Sequence, residues 1–207
     1  VRRLLSIKVY VLIRPRGGDF RYSDAELEVM LSDVRTCGTL GCDGVVVGML
    51  NDDGSVDAPR CRLLVEAAHR YGMGVTFHRA FDRCRNLPEA MEAIIRLGCE
   101  RILTSGGRNA APEGAEAIRE LVEKASGRIS IMAGAGVTPE NATALVDATG
   151  VNELHGTFRS QYPSSMAYRN PLLGTPDEEH SRWCADGEKI KSVMLSVGER
   201  TGSTAFA

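Results

Sequence analysis

The sequence predicts a parallel (β/α) barrel, in which a sheet of parallel strands is covered on its outer face by helices. Two observations lead to this prediction. Short β-rich runs alternate with amphipathic helical patterns along the chain, and the first run lacks the glycine motif of an open nucleotide-binding sheet. With 207 residues, of which 43% are hydrophobic, the chain can bury one substantial core, and its length requires no second domain. We therefore expect residues 1–207 to form a single domain.

The predicted strands are six short β-rich runs. Parallel neighbours need a long connection, and the segments between these runs are long enough to hold a helix each. The runs are Val9–Ile13, Gly44–Val47, Val75–His78, Arg101–Thr104, Ile129–Met132 and Asn152–His155.

The connecting helices are predicted from their end signals and from apolar residues at helical spacing. Ser23-Asp24-Ala25-Glu26 is a capping box, and apolar residues follow it at helical spacing as far as Cys37. Prolines open the next two helices and glycines close them. These pairs are Pro59 with Gly72 and Pro88 with Gly98, while a fourth helix ends at Gly127 and a fifth opens at Thr138.

The predicted barrel is incomplete. A barrel of eight units usually needs about 250 residues, and six strands are found here. The sixth strand is followed by a polar tail and a final helix over about residues 156–207, with the helix expected at Asp186–Val197. Because the end of the chain resembles the end of a barrel, we expect the absent units to belong at the beginning.

Composition argues against several classes of partner. The 25 Lys and Arg residues nearly balance the 27 Asp and Glu residues, and the pI is about 6.1. No run approaches the roughly 20 apolar residues that span a bilayer. We therefore expect neither a nucleic-acid nor a membrane partner, and a cytoplasmic location.

The six cysteines are scattered singly along the chain. Cys37, Cys61 and Cys99 lie in or beside apolar helical stretches, where buried structural thiols are expected. No cysteine or histidine spacing matches a zinc site. From the residues alone we predict reduced thiols and assign no metal site.

Two histidines follow predicted strands, at the end of a barrel where the working groups gather. Strand alternation places Thr76 and His78 on the inner face and Phe77 on the outer face. His78 and His155 are therefore candidate catalytic residues, acting as general acid or base, and Asp82 is a candidate partner that tunes His78. The alternative is that both histidines only form hydrogen bonds within the barrel mouth.

A small anion is the second chemical expectation for this rim. Arg14 and Arg16 follow the first strand, and guanidinium groups bind carboxylates and phosphates in a bidentate manner. The alternative is that these arginines brace loops by pairing with Asp19 or Asp82. Glycines at strand ends allow backbone N–H groups to approach an anion, although glycines are also favoured there simply because the backbone turns tightly. The candidate anion-binding glycines are Gly106, Gly107, Gly134 and Gly136.

The rim segments resemble those of the CutC copper-homeostasis family. Two long segments carry the resemblance, from Val11 to Phe20 (VLIRPRGGDF) and from Val75 to Asp82 (VTFHRAFD). Shorter segments extend it over most of the chain: Arg101–Gly107, Met132–Gly136, Glu153–His155 and Met166–Asn170.

The resemblance implies a TIM-type barrel, a cytosolic location, homo-oligomers and a role in copper homeostasis or tolerance. It also implies that two βα units precede the strand before Arg14 in family members, so this chain is expected to lack the first two units. An acidic rim and the early cysteines proposed as Cu(I) ligands in animal members are expected to be lost with them. Gly156 also replaces a cysteine found in some relatives. Copper(I) is thus a ligand implied by resemblance, without an assigned metal site here.

Three functions stay open at this point. The chain is a copper-homeostasis protein that acts by binding or by interaction, or a barrel enzyme acting on a small anionic or phosphorylated metabolite. In the third hypothesis it is a truncated product, whose unpaired strand edges favour aggregation or pairing with another chain.

Overall fold

A computed structural model describes residues 2–168, 170, 172 and 181–201. Six parallel strands form the main sheet, and each pairs with its neighbours in chain order. Each consecutive pair is joined by a segment that contains a helix, which is the connection that parallel pairing requires. The strands are β1 (Tyr10–Leu12), β2 (Gly44–Val47), β3 (Gly74–Phe77), β4 (Arg101–Thr104), β5 (Ser130–Gly134) and β6 (Glu153–His155).

The helices carry the end signals that the sequence contains. At the first helix, the Ser23 hydroxyl accepts the N–H of Glu26, and the Glu26 carboxylate accepts the N–H of Ser23. Gly98 ends the third helix in the left-handed conformation. The helices are α1 (Asp24–Thr39), α2 (Ala58–His69), α3 (Leu87–Leu97), α4 (Ala115–Ala125), α5 (Ala142–Thr149) and α6 (Gly187–Thr201). Among the described residues, none of them combines the length and apolar character needed to cross a bilayer.

Side chains from the first and the last strand of the sheet line one common cavity, which shows that the sheet is curled. Leu12, Val46 and Thr76 are aligned across β1, β2 and β3 and all point into this cavity. The alternate residues of the strands, such as Val45 and Phe77, are fully buried on the outer face under the helices. The predicted fold class, six units of a TIM-type (β/α) barrel, is confirmed.

Several boundaries differ from the prediction. Helix α5 begins at Ala142 rather than at Thr138, because a turn at Thr138 to Asn141 precedes it, in which the Asn141 side chain accepts the N–H of Thr138. The predicted polar tail contains an antiparallel hairpin of β7 (Arg159–Pro163) and β8 (Ser181–Ala185) that the sequence analysis missed. Its strands are polar and largely exposed, so they lack the apolar alternation that signals a strand. Residues 169, 171, 173–180 and 202–207 of that tail lie outside the described residues.

Helix α6 closes one side of the cavity. Its Val193 is buried, and Ile190, Met194 and Val197 also line the cavity wall. The Asp186 carboxylate just before the helix accepts hydrogen bonds from the N–H of Glu188 and the hydroxyl of Ser160 in β7. The hairpin is therefore tied to the start of the helix that forms the wall.

A polar network fills the amino-terminal end of the curl. Arg101 donates to both carboxylate oxygens of Glu153, across β4 to β6, and to the Thr76 hydroxyl at 3.1 Å. Its guanidinium also lies 5.3 Å from the ring centre of Tyr10. Ser130 donates a further hydrogen bond to Glu153 at 2.8 Å. Because Arg101 and Glu153 are mostly buried, each needs the other to offset the loss of water.

We predict that Arg101→Met lowers the free energy of unfolding by about 3 kcal/mol, since it leaves the Glu153 carboxylate without its cation in a desolvated place. Arg119→Met is the matched control. The ion pair of Arg119 with Glu123 is exposed on one helix, so the loss there is expected to stay below about 0.5 kcal/mol. Chemical denaturation measures both values. Equal losses in the two variants would show that the network adds no stability.

Candidate functional site

The inner face of the curled sheet encloses a cavity of about 780 Å³. Its lining changes from one end of the strands to the other. The Arg101 network lies at the amino end, and Leu12, Val46, Leu103 and Met132 form an apolar layer in the middle. Arg14, His78 and His155 lie at the carboxyl end, together with Phe20 and Phe158. Three of the sequence-predicted site residues therefore meet at one cavity.

His78 is 95% buried, having only 5% of its surface exposed. Its Nδ1 accepts the N–H of Ala80 at 3.0 Å, while its Nε2 is buried and has no hydrogen-bond partner among the described residues. Burial, with a smaller contribution from the nearby Arg14 guanidinium, lowers the pKa of His78 to about 4. The imidazole is therefore neutral at pH 7. Because Nδ1 acts as an acceptor, the proton sits on Nε2.

Gly48 makes room for the imidazole. It follows β2 directly, and a Cβ atom at this position would lie 2.5 Å from His78 Cε1. On another side, the Phe20 ring lies 4.9 Å from the imidazole centre, at a tilt of 46°. The ring is thus held between a bare backbone and an aromatic side chain, and its orientation is fixed before any ligand arrives.

Arg14 is held against the same aromatic ring. Its guanidinium carbon lies 4.8 Å from the centre of Phe20, and its Nη2 donates to the Gly18 carbonyl at 2.8 Å. Its Nε is buried without a hydrogen-bond partner among the described residues, as is the Tyr22 hydroxyl. Burial raises the pKa of Tyr22, and the Arg14 guanidinium opposes this rise.

Arg16 is placed differently from Arg14 and does not line the cavity. It donates to Glu26 at 2.6 Å, to Asp19 at 3.0 Å and to the Arg21 carbonyl at 2.5 Å. Its guanidinium also stacks over Tyr22 at 5.0 Å. Of the two alternatives for this arginine, the contacts favour the bracing of a loop.

Asp82 holds the loop after β4 and does not contact His78. One carboxylate oxygen accepts the Thr104 hydroxyl at 2.5 Å and the N–H groups of Ser105 and Gly107, both at 3.0 Å. The other accepts Arg79 Nε at 2.8 Å. The side chain is 5% exposed, so these donors replace nearly all of its water. The geometry assigns Asp82 to the loop, and its predicted tuning of His78 finds no contact that supports it.

The candidate glycines divide into two groups. The N–H of Gly106 donates a hydrogen bond to the Thr104 hydroxyl, and the N–H of Gly107 donates one to Asp82. Gly134 lies in β5 beside His155, where a Cβ atom would come within 2.6 Å of Leu103. The Gly136 carbonyl accepts a hydrogen bond from the side-chain amide of Asn141. These contacts favour the structural alternative for the glycine turns, and their anion-binding role stays a prediction.

His155 lies at the end of β6, on the open side of the cavity, and is exposed. The surrounding protein lowers its pKa by desolvation. His155 therefore lines the same cavity as His78, although it is more exposed to solvent. The proton-transfer role predicted for both histidines stays a prediction.

Burial disfavours ionisation of four of the six thiols. All six cysteines are free of disulfide bonds, Cys42 lies beside Cys37, and burial raises the pKa of Cys37 to about 11 and those of Cys84 and Cys99 to about 12. Cys61 is shifted in the same direction by burial. Raised pKa values disfavour the thiolate form, which binds soft metals. Within the described ranges, no group of three or more His, Cys, Asp or Glu side chains is arranged to hold a metal ion.

Sequence reasoning missed Gly48, Phe20 and Tyr22 as parts of this site. Phe20 and Tyr22 belong to the loop whose arginines were singled out, and a look at its aromatic residues could have raised the question of stacking. Gly48 follows a strand like the candidate glycines, and that position was the available signal.

Comparisons with known proteins point to one family. The model of the CutC family matches residues 1–160. The family protein CutC of Vibrio cholerae is 51% identical over 166 residues, a match covering 80% of this chain and 65% of that protein. The family protein CutC of Pasteurella multocida is 44% identical over 194 residues, covering 93% and 79%.

A solved structure gives the same fold. It is that of a provisionally assigned copper homeostasis protein, CutC from Streptococcus agalactiae, with a TM-score of 0.70 and 38% identity. The superposition covers 73% of each chain. The present chain thus matches about two thirds to four fifths of the length of these relatives.

We predict that His78 makes stability fall on acidification. Its pKa in the folded chain, about 4, lies below the usual 6.5, so the unfolded chain binds the proton first as the pH falls from 6.5 towards 4. The free energy of unfolding should therefore drop by about 2 kcal/mol more in the unaltered chain than in His78→Asn between pH 7 and pH 4.5. Urea denaturation across that range measures the difference. Parallel pH profiles for the two proteins would contradict the buried, neutral state of His78.

Proposed function

Because the chain belongs to the CutC family, we propose that it takes part in copper homeostasis, the role assigned to its relative from Streptococcus agalactiae. The observation that carries this proposal is the family match over residues 1–160, joined by a fold similarity at 38% identity. The match covers 65% of the Vibrio cholerae relative, so the role is proposed from the part of the family protein that this chain contains.

The proposed mode of action is through the cavity and not through copper held by the thiols of the chain. Cu(I) prefers thiolate and thioether sulfur, and burial keeps Cys37, Cys61, Cys84 and Cys99 in the thiol form. The cavity, in contrast, brings Arg14 and His78 together at the rim where barrels bind their ligands. In this proposal the protein takes part in copper handling by binding a ligand in this cavity, and it acts either alone or together with other components.

The second candidate function is a barrel enzyme acting on a small anionic or phosphorylated metabolite. Its support is the cluster of Arg14, His78 and His155 at one cavity. A phosphorylated substrate is less favoured than another small anion, because the N–H groups of Gly106 and Gly107 already donate to the Thr104 hydroxyl and to Asp82. A histidine with a pKa of about 4 is also a weak base at neutral pH.

The remaining parts of the proposal follow from family resemblance. We propose a cytoplasmic location and self-association into homo-oligomers. Strands β1 and β6 each have a single neighbour among the described residues, and such an edge can pair with a second chain. Light scattering on the purified protein gives the oligomer size.

We predict that this chain restores copper tolerance to a bacterial strain that lacks its own CutC family protein. Arg14→Gln should lose most of the restored growth in copper, because it removes the charge from the cavity. The double variant Cys37→Ser and Cys42→Ser should retain it. Growth curves over a copper series, with expression levels matched by immunoblot, measure the effect. Failure of the unaltered chain to shift the tolerated copper concentration would count against the copper role.

We predict that Cu(I) binds this chain with a stoichiometry well below one per chain under reducing conditions, as the buried thiols do not form a soft-metal site. Titration in competition with a chromogenic Cu(I) chelator measures the value. Cys184, which is exposed, is replaced by serine in a parallel sample to remove adventitious surface binding. One tightly held Cu(I) per chain that disappears in Cys37→Ser would overturn this mode of action.

A further inference from the structure

Two buried N–H groups at the carboxyl rim lack a hydrogen-bond partner among the described residues, namely Nε of Arg14 and Nε2 of His78. The Tyr22 hydroxyl beside Arg14 is likewise without one. Leaving a buried donor without an acceptor costs about 1 to 3 kcal/mol, and more for a charged group. Such a cost is tolerated where a ligand supplies the missing acceptor.

The state of each group is fixed by its surroundings. His78 Nδ1 accepts the N–H of Ala80, so Nε2 must carry the proton and can only donate. A guanidinium has no acceptor atom at all. Arg14 and His78 thus offer donors alone, and they do so next to the same ring, since Phe20 contacts both of them. The chemistry they recognise is an acceptor that lies between them.

The charge of the ligand follows from the neighbouring groups. Among the described residues, no carboxylate lies within ion-pairing distance of Arg14, whereas Arg79 pairs with Asp82 and Arg101 with Glu153. His78 is uncharged at pH 7. At the rim, Arg14 is therefore a positive charge without a carboxylate partner, which a monoanion neutralises, whereas Lys8 lines the amino end of the cavity near Glu153. A phosphate dianion would need a second free cation at the rim, where the neighbouring Arg79 is paired with Asp82.

The body of the ligand follows from the layer below the rim. Leu12, Val46, Leu103 and Met132 form this layer, and Val193 of α6 closes its side. Leu12 lines the cavity from the edge strand β1 and is 55% exposed, so part of this layer is apolar surface that the chain leaves uncovered. Covering such surface is favourable at roughly 25 cal/mol per Å².

We propose that this cavity binds a small organic acid, with its carboxylate held by Arg14 and His78 and an apolar chain lying along the middle layer of the sheet. Arg14 supplies the charge and His78 a neutral, oriented hydrogen bond. The inference rests on the proposed mode of action through this cavity and goes beyond it by naming the chemical class of the ligand.

Isothermal titration calorimetry with octanoate tests the proposal in buffer that contains no copper. Octanoate is expected to bind saturably, with one site per chain. 1-Octanol has the same chain without the charge, and its Kd is expected to be at least about tenfold higher, since a charge-assisted hydrogen bond is lost. Octyl phosphate is expected to bind more weakly than octanoate. Absence of octanoate binding, equal binding of 1-octanol, or tighter binding of octyl phosphate would each overturn the proposal.

Three variants locate the site. Arg14→Gln should raise the Kd for octanoate at least about tenfold. His78→Asn keeps an acceptor near the Nδ1 position for the Ala80 N–H but removes the Nε2 donor, and should raise the Kd about fivefold. His78→Gln places an amide donor near the Nε2 position and should bind more tightly than His78→Asn.

The matched control is Arg21→Gln. It removes an equal charge from the same loop, at an exposed ion pair with Asp52, and should leave the Kd unchanged. An unchanged Kd in Arg14→Gln, or an equal loss in Arg21→Gln, would refute the assigned site. Because the comparison of octanoate with 1-octanol uses the unaltered chain, the proposal stays testable if a His78 variant does not fold. Failure in these titrations leaves the copper-tolerance result untouched, so the two proposals can fail separately.

Discussion

The interior of a curled parallel sheet removes charged side chains from water, and each such charge needs a partner. At the amino end of the strands this demand is met within the chain by the pairing of Arg101 with Glu153. At the carboxyl end it is met for Arg79 by Asp82. It is not met for Arg14 among the described residues. The same physical rule therefore accounts for the paired Arg101 network at the amino end of the cavity and for the unpaired charge of Arg14 at the carboxyl end.

The fold was largely predictable, because the features that specify it are local. The capping box at Ser23, the glycine at position 98 and the apolar spacing within the helices are read directly from the sequence, and the structure contains them. The hairpin of β7 and β8 was not predictable in this way. Its stability comes from pairing across a long connection and from the bond between Ser160 and Asp186, and neither leaves a periodic pattern.

The site was predictable only where position along a strand decides the outcome. Strand alternation placed His78 inside, and Arg14 follows the first strand on the same inner face. For Arg16 and Asp82, the outcome depends on which partners the folded chain brings near, namely Glu26 for the first and the loop after β4 for the second. Residue type alone cannot distinguish an arginine that is free to bind a ligand from one that is already paired. Only tertiary contacts separate the two.

The close approach of Gly48 to His78 also constrains how the family can vary. The imidazole occupies the space that any side chain at position 48 would need. A mutation that adds even a methyl group at position 48 becomes tolerable only after position 78 has become smaller, and a histidine can appear at 78 only opposite a glycine. The two positions are therefore expected to covary among homologues as one unit, so that the residue at 48 reports whether the rim of a given relative has kept its imidazole.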